Sequence, residues 1–191
     1  MSIILCDKSH LQELVEFYED EIKYLEQHIN YPDWKLGYYP SERSIFGAIM
    51  SKSQYAYIKD GKIIGAVVLD DEPGCKYENA NIACKYKEYM VVHAICTSHK
   101  YYKKGIATEI VNFCIEKAKK EGYKGIYSDT TPRNTVSKNL FLKLGFKDLG
   151  IFDLEKKFIG INNEVMDRKQ LMKLAPGLEI PADFNVLELV F

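Results

Sequence analysis

The run from Ile95 to Thr108, ICTSHKYYKKGIAT, has the composition of an anion-binding junction. An apolar stretch ends at Thr97, a polar loop with Lys100, Lys103 and Lys104 follows, and Gly105 opens an amphipathic segment. Where a strand hands over to a helix, several backbone N–H groups lack helical partners and point one way. With the helix dipole they hold a phosphate or pyrophosphate. Gly105 and Ala107 allow close approach of a ligand to the backbone. The run lacks the Gly-Lys-Ser/Thr ending of a P-loop and the later glycines of a dinucleotide fingerprint. A solvated basic turn is the plain alternative, and one loop alone does not separate the two.

Two further stretches carry chemistry-bearing residues. Asn134 to Phe146, NTVSKNLFLKLGF, reads as a capped amphipathic helix stopped by Gly145 and entering a strand. Residues 31–40 hold Tyr31, Trp34, Tyr38 and Tyr39 together with two prolines, which suits either a pocket wall or a hydrophobic plug.

The elements that must position these residues follow from periodicity. Leu11, Leu14, Val15, Tyr18, Ile22 and Leu25 recur at helical spacing, with Ser9 and Gln12 as a capping box, and Pro32 lies beyond the end. Ser41 caps a second helix to about Ser51. Gln54–Lys59 and Lys62–Leu69 read as strands joined by Asp60-Gly61, a two-residue hairpin turn. Residues 70–87 are polar and irregular, with a weak strand signal near Tyr77–Cys84. Glu88–Thr97 is a central strand. Ile106 to Ala118 form a helix with Gly122 at its stop, and Gly125–Asp129 a strand. Val136, Leu140, Phe141 and Leu144 are the expected inward face of the helix from Asn134. Phe146–Leu154 and Phe158–Met166 are candidates for two closing strands. Strands and helices in this order predict an α/β or α+β fold with a mixed sheet.

The chain of 191 residues suits one domain, expected over 1–170, with a tail at 171–191. Val186–Phe191 in that tail is expected to add a strand, pack on the core or contact a second copy in a homodimer. There are 26 basic and 27 acidic residues, so no global positive field for nucleic acid is expected. No stretch approaches the ~18 apolar residues of a membrane span, and residues 1–7 do not read as a secretory signal. Five cysteines at wide spacings disfavour a disulfide framework and a zinc knuckle, so a cytoplasmic location and no metal are expected.

Together, the Ile95–Thr108 and Asn134–Phe146 stretches resemble motifs A and B of the GNAT superfamily of acetyl-CoA-dependent N-acetyltransferases. Trp34 with Gly37-Tyr38-Tyr39-Pro40-Ser41 is similar to a Trp…Tyr-Pro-Ser segment of one bacterial, small-molecule branch. Val92–Thr97 resembles that branch's central strand, and Tyr127-Ser128-Asp129-Thr130 its Arg-Leu-Asp-Thr strand end. The resemblance runs from about residue 3 to residue 166. It implies the GNAT fold, a mixed twisted sheet with splayed central strands flanked by helices. It places Ile95, Cys96 and Thr97 along the pantetheine arm of acetyl-CoA, and Lys103, Lys104, Gly105, Ile106, Ala107 and Thr108 around its pyrophosphate. It brings Asn134 to the arm and Phe141 beside it.

The implied reaction is direct acetyl transfer to a primary amine of a small molecule or peptide. It needs a base for the amine, for which His93, Asp129 and Glu88 are candidates, His93 having the best intrinsic pKa, ~6.5. A backbone amide near Ile95–Thr97 would meet charge developing on the carbonyl oxygen. Trp34, Tyr38 and Tyr39 would wall the acceptor pocket. Three positions, in two motifs, depart from the family pattern. Tyr102 and Lys103 replace the usual Gln or Arg and an intermediate Gly of motif A. Phe141 replaces a Tyr that protonates the departing sulfur, leaving Tyr102, Tyr127, Cys96 or water for that task. A catalytically weak acyl-CoA-binding sensor is the alternative expectation.

Overall fold

A computed structural model describes residues 2–159, 165–174 and 180–191. The chain begins with β1 (Ser2–Leu5) and a 3₁₀ turn (Lys8–His10) that runs into α1 (Leu11–Gln27). The cap lies earlier than expected. Asp7, not Ser9, accepts the Ser9 amide at 2.9 Å, and the His10 ring reciprocates at the Asp7 amide. An extra 3₁₀ turn therefore precedes the helix that the apolar spacing marks out. Ser41 caps α2 (Glu42–Met50) together with Ser44, as the sequence suggests.

β2 (Gln54–Lys59) and β3 (Lys62–Asp70) are joined by Asp60 and Gly61, both at positive φ (51° and 74°), the geometry of a tight hairpin turn. Residues 71–88 form a long loop containing a 3₁₀ turn at Tyr77–Ala80, where a weak strand signal stood. Then come β4 (Tyr89–Thr97), α3 (Ile106–Lys120), β5 (Gly125–Thr130), α4 (Thr135–Lys143) and β6 (Lys147–Asp153).

The end of the chain departs most from expectation. Phe158–Ile159 (β7) and Val165–Met166 (β8) pair only with each other, so the predicted strand Phe158–Met166 does not join the main sheet. Residues 160–164 of that segment lie outside the described residues. α5 (Arg168–Leu174) follows, and β9 (Asp183–Val190) enters the main sheet. The sheet order is β1-β2-β3-β4-β5-β9-β6. Every neighbouring pair is antiparallel except β4–β5, which is parallel.

Side chains alternate across this sheet. Met90, Val92, Ile126 and Leu187 face α3 and α4, packing with Ile106, Ile110, Val111, Cys114 and Phe141. On the opposite face, α1 and α2 cover Ala56, Ile63 and Ala66. Beyond them the 71–88 loop covers Tyr89, Val91, Tyr127 and Val186 with Tyr77, Ala80 and Cys84. Gly65 on β3 lets α3 approach closely, since a Cβ there would lie 2.8 Å from Ile110 Cδ1. Val136, expected inward, is 61% exposed, while Leu140 and Leu144 pack on the core as expected. The five cysteines are free thiols.

Candidate functional site

β4 and β5 pair from Tyr89↔Gly125 to Val92↔Ser128 and no further. Beyond that rung β4 stays with β3 (Ala66↔Cys96, Gly65↔Thr97), while β5 stays with β9 (Asp129↔Val186, Thr130↔Asn185). The two strands therefore part, and the β4 edge from His93 to Thr97 has no β5 partner. A register shift between Ala66 and Val68 places a bulge in this stretch, with Ala94 at φ 47°. Tyr18 of α1 holds the bulge by donating its hydroxyl to the Ala94 carbonyl at 2.8 Å.

The sequence-predicted phosphate residues lie together where β4 ends. Lys103 (φ 62°) and Gly105 (φ 83°) are both left-handed, and α3 starts at Ile106. Among the described residues no hydrogen bond ends on the amides of Lys103, Gly105, Ile106, Ala107 or Thr108. They surround a concavity of about 160 Å³ with Thr97, Tyr101 and Lys104. A Cβ on Gly105 would meet nothing within 4 Å, so the space above that backbone is open. This nest of donors at a helix N-terminus, flanked by two lysines, fits a diphosphate. Lys100 is elsewhere, bound to Asp20 of α1 at 3.1 Å.

The loop is fastened to α1 by Glu21, whose carboxylate is 1% exposed. It accepts from the His99 amide at 2.9 Å and lies 2.9 Å from His99 Nδ1. Burial pushes the Glu21 carboxyl up, against the lowering effect of His99. Tyr24 stacks on the His99 ring at 4.2 Å. Sequence spacing shows none of this, because the partners are 78 residues apart.

Asn134 is 9% exposed and caps α4, its Oδ1 accepting the Ser137 amide at 3.1 Å. Among the described residues nothing uses its Nδ2, which remains a donor for a ligand. Phe141 is fully buried with its ring 4.9 Å from Phe146, so it fills core and has no proton to give. Of the substitutes for the missing acid, Tyr127 is committed on the far face, donating to Glu188 at 2.7 Å and accepting from the Cys84 amide. Burial, with the nearby Glu21 carboxylate, pushes the Cys96 thiol and the Tyr102 hydroxyl up, so both stay protonated near neutral pH.

His93 and Asp129 occupy the first rung beyond the last paired one. By alternation with Val91 and Tyr127 they face the 71–88 loop, opposite α3. Asp129 is 4% exposed, accepts the Tyr77 hydroxyl at 2.8 Å and pairs with Lys156. Burial pushes its carboxyl up, but Lys156, His93 and Tyr77 together outweigh this and hold it below the ordinary carboxylate range. His93 is 19% exposed, with Nε2 3.1 Å from the Glu72 carbonyl and 3.6 Å from Asp70 Oδ1. Glu88 precedes β4 at the end away from the gap, paired with Lys124.

Of the aromatic loop, Tyr39 reaches this place. Its ring is partly exposed, while its hydroxyl is pushed up by burial and by the Asp129 and Asp70 carboxylates. Trp34 supports it edge-on at 6.2 Å and packs on Tyr18 at 5.9 Å. Tyr38 stays at the surface, 46% exposed, with Lys35 Nζ 5.8 Å from its ring centroid. Tyr77, Lys156 and Asp70 were missed by sequence reasoning. Tyr77 and Lys156 sit in polar, aperiodic segments and meet Asp129 only through the fold.

A model of the acetyltransferase (GNAT) family matches residues 11–146. No curated protein matches the chain. Among solved structures, a GNAT-family acetyltransferase from Streptococcus agalactiae superposes with a TM-score of 0.69 at 17% identity, over 100% of this chain and 95% of its own. An N-acetyltransferase from Staphylococcus aureus Mu50 gives 0.62 at 17%, over 99% and 97%. A Salmonella typhimurium protein, solved with its cofactor acetyl-CoA, gives 0.64 at 12%, over 100% and 93%. These likenesses carry the fold. With the family match covering most of the chain, the protein belongs to the GNAT family of acetyltransferases.

Proposed function

We propose that the chain binds acetyl-CoA in the β4–β5 gap and transfers its acetyl group to a primary amine of a small molecule or peptide. The observation that carries this reading is the meeting of two half-sites at one gap. The amide nest lies at the α3 end, and His93 and Asp129 line the opposite face. Lys103, Lys104 and the amides of Gly105 to Thr108 hold the pyrophosphate. Ile95, Cys96 and Thr97 present the unpaired β4 edge to the pantetheine arm, and Asn134 Nδ2 donates to it. The bulge at Ala94 turns a nearby amide toward the thioester carbonyl.

Acetyl-CoA as substrate supplies a thioester. The amine nitrogen bonds to its carbonyl carbon, the C–S bond breaks with its electron pair on sulfur, and the sulfur takes the proton lost by nitrogen. His93 accepts the earlier proton, by which the acceptor ammonium becomes a nucleophile, and returns it to solvent. Asp129, held ionised by Lys156 and Tyr77, stabilises the positive charge on that side of the gap. Tyr39 walls the acceptor side with Trp34 behind it. A thiol of pKa ~8.5 leaves tolerably as an anion, so Phe141 does not forbid turnover.

Calorimetric titration with acetyl-CoA, with CoA and dephosphorylated pantetheine as controls, tests the cofactor half. Saturable micromolar binding that needs the phosphates is expected, followed by turnover within a panel of primary amines. A second reading, an acyl-CoA-binding sensor with little turnover, is favoured by the buried Phe141. Tight acetyl-CoA binding with no turnover on any amine would select it.

A further inference from the structure

β3 ends at Asp70, and the chain turns there, the Glu72 amide donating to Asp70 Oδ1 at 3.0 Å. This turn sets the Glu72 carbonyl 3.1 Å from His93 Nε2. A carbonyl oxygen only accepts, so Nε2 carries the hydrogen, and the neutral ring keeps its lone pair on Nδ1. Among the described residues nothing bonds Nδ1. Asp70 Oδ1 lies 3.6 Å from the same Nε2, and among the described residues Asp70 has no other basic partner.

The other charged or titratable groups near the ring are already engaged. Asp129 of β5 is paired with Lys156 and Tyr77. The Glu72 carboxylate is held by Tyr86 and Lys87. The Tyr39 hydroxyl is pushed up and stays neutral. Asp129 shares its charge between Lys156 and the ring, and Asp70 is the carboxylate that comes within ion-pair distance of the ring, at 3.6 Å.

We propose that Asp70 is a positioning residue for His93. Its turn fixes the Nε2–H tautomer through the Glu72 carbonyl, so that Nδ1 takes the proton. Its charge stabilises the imidazolium that results. The proposal rests on the reading of His93 as the base, and it adds the atom that does the work and the residue that prepares it. It also says why the residues after β3 matter to chemistry although no motif marks them.

Nitrogen-15 NMR of histidine-labelled full-length protein tests it without any acceptor, the His93 signals being assigned by their loss in H93Q. The wild-type neutral ring is expected as Nε2–H. Asp70→Asn keeps an oxygen for the Glu72 amide, so it should keep that tautomer while the ring gives up its proton at lower pH. Asp70→Ala should disturb the tautomer as well. Thermal melting and acetyl-CoA binding of each variant report on the fold and should stay at wild-type values. An Nδ1–H ring in the wild type, or an unchanged His93 titration in Asp70→Asn, overturns the role of Asp70. Wild-type turnover by H93Q on the amine panel instead overturns the reading of His93 as base, whatever the spectra show.

Discussion

Asp129 is a carboxylate placed where it needs a partner. At 4% exposure it keeps its charge through Lys156, whose ammonium also lies 4.3 Å from the Phe184 ring centroid. Lys156→Met should cost ~3–5 kcal/mol, the range for breaking a buried pair from one side, read by chemical denaturation. The pH dependence has a definite sign. The folded state holds the Asp129 carboxyl below its unfolded value, so the stabilisation is complete above the ordinary Asp range, ~3.9, and is lost as pH falls through the folded value. In Lys156→Met that part of the acid-side loss should vanish, and a wild-type acid profile would contradict the pairing. Asn134→Ala removes both the α4 cap and the free Nδ2 donor. One hydrogen bond is worth about 0.5–1.5 kcal/mol, so acetyl-CoA should bind roughly 2- to 12-fold more weakly by calorimetry. Cap loss alone would lower the melting temperature and leave the affinity unchanged.

At the scale of elements, the junction from β4 to α3 was legible because its chemistry is local. Gly105 is the residue type that a left-handed N-cap requires, and the open space above it is the space a phosphate needs. Gly105→Glu puts a side chain at φ 83° and a negative charge into the nest. Acetyl-CoA binding should fall at least 100-fold, and unaltered binding would show that the nest is not the phosphate site. The Asp60-Gly61 hairpin was legible for the same local reason. Capping and facing were less so. Asp7 outcompetes Ser9 because a 3₁₀ turn inserts before α1. Val136 lies in the first turn of α4, 61% exposed, where the helix has not yet reached the sheet. The 71–88 loop had no periodicity to read, yet it supplies Tyr77 to Asp129 and the Glu72 carbonyl to His93.

At the scale of the whole molecule, β9 decides whether the sheet is continuous. It lies between β5 and β6, with Val186 and Leu187 fully buried. Removing residues 181–191 strips β5 of its neighbour on the side away from β4 and cuts β6 from the sheet. Loss of cooperative melting is expected, and a truncated protein that melts as the wild type does would show the strand to be dispensable. The sequence by itself determined most of the helices and strands from β1 to β6 and where the glycine turn before α3 stands, because caps, turns and apolar periods act within a few residues. It also determined the family resemblance, carried by those same local runs. Only the tertiary structure decided that β9 rather than Phe158–Met166 enters the main sheet, between β5 and β6, since pairing between strands far apart in the chain depends on which edges are free. It alone joined Glu21 to His99 and Asp129 to Tyr77, because a buried carboxylate takes whichever donors the packed chain brings within ~3 Å, and residue spacing says nothing of those.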